Sequence, residues 1–247
     1  PYRNDNPLNG LTTYDLVLIS KHILALDPFT SPLKMIAADA NRSGSITTFD
    51  IVQLRKLILG IDTAFSNNTS WRFVPSNHTF DNPLNPFQTP FPETLGVQVL
   101  TDPIANLDFT AIKIGDVNNT AIPNQAYSAE ERTQGEWPVR VDWLNEDGAS
   151  ATVVAEKNQV TALFSFPNTV PVATQFTLKF NPEHLVFEKI IPLMPDISQE
   201  NFGLNRIGQG LLTFSYSPND QALSNETGLF KVVFRTKTTG PWSDFLQ

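Results

Sequence analysis

The chain contains no cysteine, which removes disulfides, thiol nucleophiles and zinc-thiolate sites together. Histidine is almost as scarce. His22, His78 and His184 are the full set, none of them tied by sequence to a Ser or Asp arrangement, so each reads as structural. No apolar run is long enough to span a bilayer. Cations are few: 17 Lys and Arg stand against 25 Asp and Glu, a net charge of −8 and a pI near 4.8. With no basic cluster to offset phosphate repulsion, a nucleic-acid partner is disfavoured. Also missing are a Gly-rich phosphate loop, an HExxH pair and a G-x-S-x-G elbow. Carboxylates are too plentiful for a glycosidase pair to be decided by counting. A length of 247 residues at 40% hydrophobic content fits about two domains. No signal peptide stands at the start, and a beginning at Pro1 with a loop half under way reads as a mature or excised chain, compatible with secretion.

What is present most distinctly is Asp39-Ala-Asn41-Arg-Ser43-Gly44-Ser45-Ile46-Thr47-Thr-Phe-Asp50, which spaces oxygen-bearing residues as an EF-hand-type calcium loop does. Side-chain oxygens fall at loop positions 1, 3, 5, 9 and 12 (Asp39, Asn41, Ser43, Thr47, Asp50), and Ser45 at position 7 offers its backbone carbonyl. Gly44 stands at position 6, where the sharp turn disfavours a Cβ. Position 12 is Asp rather than Glu, one methylene shorter, so the helix carrying it must begin closer to the ion. The spacing predicts one bound Ca2+; without a metal the same residues form an Asx-rich turn.

The segment around Asp50 is a duplicate. Residues Leu11 to Asp27 return 35 positions later as Ile46 to Asp62, with Thr, Thr, Asp, Val, Lys, Ile, Leu and Asp held in place. Apolar residues recur at three- and four-residue steps (Leu16, Ile19, Ile23, Leu26; Ile51, Leu54, Ile58, Ile61), predicting two amphipathic helices that bury their stripes together and end near Pro28 and Gly60. The loop before the first copy is degenerate. Counting back from Asp15 puts Thr12 at position 9, Gly10 at 7, Asn6 at 3 and Asn4 at 1, with Leu8 and Asn9 at 5 and 6 and Asp5 one residue out of register. One carboxylate remains in place, so weaker binding is expected here, with Asn9 as the left-handed residue. Ile114-Gly-Asp116-Val-Asn118 repeats the Asp-x-Asn opening of a calcium loop. Either Asp116 and Asn118 fold back to supply the missing oxygens and a second Ca2+ is held, or they form a turn after the apolar run Phe109 to Ile114.

A calcium-type loop ending in Asp, a following helix and a near-duplicate of the pair resemble the dockerin family over roughly residues 4 to 62. The wording Ser31-Pro-Leu-Lys-Met-Ile-Ala-Ala-Asp39 and Thr69-Ser-Trp71-Arg-Phe-Val74 is similar to dockerin-type modules in large secreted proteins of Bacteroidetes. The resemblance implies two loop-helix units around calcium and an extracellular or cell-surface setting. It also implies a protein partner bound through the residues ahead of the last loop ligand, here Thr13 and Tyr14, then Thr48 and Phe49, together with Lys21, Arg55 and Lys56. Asp62-Thr63-Ala64 resembles the short O-glycosylation signal of the same bacteria, with Thr63 as acceptor; the plain alternative is a helix-terminating turn.

From about Ala64 to Thr120 the chain is rich in Asn and Pro, which favours irregular structure. Trp71, Phe73, Phe80, Phe87, Phe91 and Phe109 make it too apolar for a solvated linker, so it reads as an extension packed on the helices, with a sugar-binding platform at Trp71 as the rival reading. From Trp137 onward, short alternating runs split by turn residues predict strands at Val139 to Trp143, Ala151 to Val154, Val160 to Phe166, Thr174 to Phe180, Leu185 to Ile190, Leu211 to Tyr216 and Leu229 to Arg235. Phe176, Leu178 and Phe180 share one face, as an antiparallel sheet with one buried side requires, and the set indicates a β-sandwich. The run from Gln175 to Phe187, then Gly210 to Tyr216 and Gly228 to Phe234, looks like the cohesin family, the usual receptor of dockerins.

The fold expected is therefore a multidomain α plus β chain: a dockerin-like duplicated loop-helix unit at 1–63, an Asn/Pro-rich extension at 64–120, a linker at 121–136 and a cohesin-like antiparallel β-sandwich at 137–247. The function expected is non-catalytic assembly or scaffolding, stabilised by Ca2+ and acting through dockerin-cohesin-type contacts with a protein, another copy of the chain included. Such contacts could form within one chain, or between chains as a filament. The alternative is a carbohydrate-binding or adhesion module of a larger secreted protein or enzyme.

Overall fold

The structure, a computed structural model, describes residues 1–96, 107–123, 139–145, 148–150, 153–154, 158–166, 171–218, 228–241 and 245. The chain forms two compact units, one of Pro1–Ile58 with Asp62–Arg132, the other of Leu59–Ile61 with Thr133–Gln247. The linker expected at 121–136 lies outside the described residues from 124 onward. No helix among the described residues is long and apolar enough to cross a membrane.

The first unit contains α1 (Thr13–Ile23), α2 (Pro32–Ala38), α3 (Thr48–Ile58), β1 (Trp71–Pro75) and β2 (Phe109–Lys113). Helices α1 and α3 are the two copies of the repeat, and they start in the same way. Asp15, third residue of α1, accepts Thr12 N–H at 2.9 Å and the Thr12 hydroxyl at 2.8 Å. Asp50, third residue of α3, accepts Thr47 N–H at 2.8 Å and the Thr47 hydroxyl at 3.1 Å. A helix-start arrangement of this kind stabilises by about 1 kcal/mol.

The helices also end alike, and earlier than the repeat suggests. Ala25 (φ 57°) and Gly60 (φ 69°) take the left-handed conformation at the same place in the two copies. The N–H groups of Asp27 and Asp62 turn back to the carbonyls of Lys21 and Lys56 at 3.3 and 3.2 Å, and in the first copy Leu26 N–H also reaches the Lys21 carbonyl at 2.9 Å, the bond of a Schellman stop. Leu26 and Ile61, expected on the apolar stripes, lie beyond that stop and are 73% and 44% exposed.

Leu11, Leu16, Ile19, Ile36, Leu54, Leu57, Val74, Ile112, Ile114 and Val117 belong to one core. The segment expected to be irregular contributes to it. Strands β1 and β2 pair antiparallel from Trp71 opposite Lys113 to Pro75 opposite Phe109, so the expected boundary at 63/64 falls inside the unit. Helix α2, unread in the sequence, has Ser31 and Pro32 at its start, as a helix N-terminus prefers. Gly115 ties it to the strand pair by donating to the Ala37 carbonyl at 2.8 Å. It has φ 89°, and a Cβ there would lie 2.8 Å from Leu54 Cδ2 and 3.1 Å from Leu11 Cδ1. Only glycine satisfies both the angle and the space.

The second unit is a β-sandwich. Its strands are β3 (Arg140–Leu144), β4 (Val153–Val154), β5 (Gln159–Ser165), β6 (Thr174–Lys179), β7 (Leu185–Pro192), β8 (Phe202–Gly203), β9 (Leu211–Tyr216), β10 (Gly228–Thr236) and β11 (Gly240–Pro241). One antiparallel sheet runs β3-β5-β10-β7, a second β6-β9-β8, and β11 pairs with β4. Phenylalanine joins the two larger sheets. Phe164 of β5 stacks on Phe176 of β6 with centroids 5.7 Å apart, and Phe230 of β10 lies 4.7 Å from Phe214 of β9 and 4.9 Å from Phe202 of β8. Aromatic pairs of this kind add about 0.5 to 1.5 kcal/mol each beyond the area they bury.

Candidate metal centre

The loop from Asp39 to Asp50 is organised around its two carboxylates, which are 1% and 0% exposed. Asp39 Oδ1 accepts Ser43 N–H and Asp39 Oδ2 accepts Gly44 N–H, both at 2.9 Å. Asp50 Oδ1 accepts Asn41 N–H at 3.1 Å, and its other oxygen holds Thr47. Asn41 Oδ1 accepts Ser43 N–H at 2.9 Å, and the Ser43 hydroxyl donates to the Ser45 carbonyl at 3.2 Å. Arg42 (φ 58°) and Gly44 (φ 76°) make the sharp turn. All six residues expected to ligate are thus drawn into one small loop. Burial pushes the Asp39 carboxyl above its ordinary range against the Gly44 and Ser43 N–H groups, with Asp50 adding to the push and Arg72 opposing it.

The residues of the expected first loop divide into two groups. Asn4 lies elsewhere: its Oδ1 accepts the Ser70 N–H at 2.9 Å and the Ser70 hydroxyl at 3.3 Å. Asn6 takes the left-handed conformation at φ 41°, and its carbonyl accepts Asn9 N–H. The left-handed residues are Asn6 and Gly10 (φ 72°), not Asn9 as expected. Asn9 is fixed otherwise, its amide donating to the Ile122 carbonyl at 2.8 Å and accepting Ile122 N–H at 3.1 Å. Gly10 and Asp15 instead meet residues 116–121, and Thr12 is tied to them through Asp15. Val117 N–H donates to Asp15 Oδ1 at 2.9 Å, and the Thr120 hydroxyl donates to the Gly10 carbonyl at 3.0 Å. Asp116 accepts Thr120 N–H at 3.1 Å and Ala121 N–H at 2.8 Å. Burial pushes Asp15 up to about 6 against its hydrogen bonds from Thr12 and Val117, with Asp116 adding to the push.

Both clusters offer carboxylate, amide, hydroxyl and carbonyl oxygens, the donors that a hard cation such as Ca2+ takes, and neither offers nitrogen or sulfur. Nowhere among the described residues do three or more His, Cys, Asp or Glu side chains come together as a metal site. Any ion held here depends on neutral oxygens as much as on charge. Thr120 was not anticipated, although Asp116-x-Asn118-x-Thr120 has the spacing of Asp39-x-Asn41-x-Ser43.

The residues expected to meet a partner are mixed in exposure. Tyr14 and Phe49 are 45% and 59% exposed, Thr48 and Lys56 are exposed, Lys21 and Arg55 are half-buried, and Thr13 is buried at 2%. Thr63 is exposed. Trp71 is buried, with the Arg3 guanidinium 5.1 Å above its ring, so it presents no face to a sugar. The histidine rings pack on neighbours: His22 stacks on Phe29, His78 meets Phe80 edge-on and His184 meets Phe245 edge-on.

No family model matches the chain, and no curated protein does. Solved structures similar to parts of it include CaCohA2 from Clostridium acetobutylicum, at 13% identity and a TM-score of 0.28 over 38% of this chain and 77% of that one. CaCohA2 in complex with CaDoc0917 gives 14% identity and a TM-score of 0.26 over 38% and 74%. The seventh ScaB type I cohesin from Pseudobacteroides cellulosolvens gives 17% identity and a TM-score of 0.29 over 44% and 74%. The sandwich assignment stands on the chain's own strand pairing.

Proposed function

We propose that this chain is a non-catalytic assembly module of an extracellular or cell-surface protein, a dockerin-like unit followed by a cohesin-like sandwich, which binds a protein partner through the starts of α1 and α3. The observation that carries the reading is the placement of Tyr14 and Phe49. They occupy the same position in the two copies of the repeat, each directly before a buried Asp, and both remain exposed to about half of their surface. Duplicated aromatics left in solvent beside a rigid helix start suit a protein interface, where aromatic side chains supply much of the binding energy. The loop from Asp39 to Asp50, loaded with Ca2+, would hold Phe49 in place through the hydrogen bonds that Asp50 makes with Thr47. Calcium supplies no chemistry here beyond charge compensation for two buried carboxylates.

The test has two arms. Sedimentation velocity of the intact chain over a wide concentration range reads self-association, and titration against a panel of cohesin domains reads binding to other partners. The Tyr14→Ala, Phe49→Ala double variant should weaken whichever association occurs by a factor of about 30 or more, the loss of two interface aromatics. Association unchanged in that variant, or a wild-type chain that neither self-associates nor binds the panel, would sink the reading. Binding on a glycan array in the latter case would favour the carbohydrate-binding alternative, for which the buried Trp71 gives no support.

A further inference from the structure

The contacts of residues 116–121 with residues 10–15 follow those inside the loop from Asp39 to Asp50. Asp116 accepts the N–H groups four and five residues on, at Thr120 and Ala121, as Asp39 accepts those of Ser43 and Gly44. Asn119 (φ 61°) is left-handed where Arg42 (φ 58°) is. The Thr120 hydroxyl donates to the Gly10 carbonyl as the Ser43 hydroxyl donates to the Ser45 carbonyl. Thr12 binds Asp15 through both its N–H and its hydroxyl, as Thr47 binds Asp50. One departure is the N–H given to the last Asp, which comes from Val117 and in the other loop from Asn41, one position later.

Asn118 provides an observation of another kind. It stands two residues after Asp116, as Asn41 stands after Asp39. Its Oδ1 is shut off from solvent and has no hydrogen-bond partner among the described residues. Leaving a buried amide oxygen unsatisfied is unfavourable, and a cation beside it removes the penalty. In the contiguous loop the corresponding oxygen accepts Ser43 N–H instead. Gly10 brings the two stretches together: a Cβ at Gly10 would lie 2.5 Å from Ala121 N, so the chains meet too closely for any side chain.

We infer that Asp116, Asn118 and Thr120 combine with Gly10, Thr12 and Asp15 into a second divalent-cation site of the calcium class, a loop whose first half follows its second half in the chain. Residues 116–121 supply loop positions 1 to 6 and residues 10–15 supply positions 7 to 12. Donors are two carboxylates, one amide, two hydroxyls and one backbone carbonyl, all oxygen, which favours Ca2+ over softer metals. Asn4 and Asn6, which a contiguous first loop would need, have no part in it. The inference stands apart from the proposed partner and from the site at Asp39.

Isothermal titration of the intact chain with CaCl2, with ion counts from native mass spectrometry, tests it in the wild type, Asp39→Ala, Asn118→Ala and Asn118→Asp. Asn118→Ala removes an oxygen that holds nothing in the protein, so far-UV circular dichroism in chelator should match the wild type. The wild type should bind two ions. Asn118→Ala should weaken one of them by about tenfold or more, and Asn118→Asp should tighten it, since ligand charge raises calcium affinity. Asp39→Ala should leave that ion in place. Two Asn118 variants with unaltered calcium constants would overturn the inference, as would a wild type that binds no calcium. If a single ion binds, its loss in Asp39→Ala with no response to Asn118 overturns it. The converse pattern keeps it and removes the site at Asp39 instead.

Discussion

Val117 and Asp15 are joined by a 2.9 Å hydrogen bond across 102 residues of chain, while the other oxygen of the Asp15 carboxylate is held by Thr12. Gly10 and Ala121 meet at the same seam. A Gly10→Ala substitution places a methyl 2.5 Å from Ala121 N at a φ of 72°, so the seam must open or the turn must strain. Chemical denaturation should show a loss of about 1 to 3 kcal/mol. Gly208→Ala, where a Cβ meets nothing within 4 Å, serves as the control and should change stability by less than about 0.5 kcal/mol.

Removal of calcium should separate charge from packing at the contiguous loop. Asp39 and Asp50 are both buried there, and their proximity raises the Asp39 carboxyl above its usual range after burial has done so. Asp39→Ala should lower the melting temperature in saturating Ca2+ by an amount equivalent to about 2.7 kcal/mol at a hundredfold excess over Kd, and shift it little in chelator. Equal destabilisation in both media would mean that the loop owes nothing to an ion.

Ala25 is the non-glycine member of a matched pair of helix stops. Gly60 holds the same left-handed conformation in the second copy, and alanine is strained there by its Cβ. Ala25→Gly should therefore raise stability by about 0.5 to 1 kcal/mol, measured as a higher denaturation midpoint with an unchanged slope. A midpoint that falls would show that the turn after α1 is held by something other than its backbone angle.

His22 gives a pH dependence of definite sign. Its Nδ1 accepts Phe29 N–H at 2.9 Å and its ring stacks on Phe29 at 4.6 Å, while burial lowers its pKa from the ordinary 6.5. The unfolded chain then takes up the proton first as pH falls. The contribution of His22 to stability is complete above about 6.5 and is lost as pH drops from there through the lower folded-state value. The imidazole resonances of His22 should titrate with a midpoint below 6.5. A midpoint above it would contradict the buried, proton-accepting ring.

The sequence was most readable where the cause of structure is local. Apolar steps such as Leu16 to Ile19 and Leu54 to Ile58 mark α1 and α3, and alternation such as Phe176 to Leu178 marks the sandwich strands, because burial acts on neighbours in the same element. Helix α2 was missed since seven residues hold too few turns for a periodicity, although Ser31-Pro32 announced its start. Strands β1 and β2 were hidden for another reason: Trp71 pairs with Lys113 through a register that nothing in either segment states. At the candidate metal centre, the pattern from Asp39 to Asp50 is legible because the loop is contiguous. Counting back from Asp15 assumed the same contiguity and so reached Asn4, which holds Ser70, while the stretch that meets Asp15 lies a hundred positions downstream, where the Asp116-x-Asn118 spacing was the one local sign of it.

The seam also bears on how this protein can be cut. A fragment ending after Thr63 keeps both copies of the repeat and passes for a portable cassette. It would nevertheless be shorn of Val74, Ile112, Ile114 and Val117 from its core, and of the Val117 N–H that one buried oxygen of Asp15 requires. Bringing residues 10–15 and 116–121 together adds about 2 kcal/mol of closure entropy relative to a twelve-residue loop, so the clasp is slow to find and, once made, restrains a long stretch of chain. In a chain of 247 residues without cysteine, that clasp restrains the fold as a disulfide would. The contacts that complete the first unit therefore run through Ile122, and vectorial synthesis must deliver all of them before α1 has its full complement.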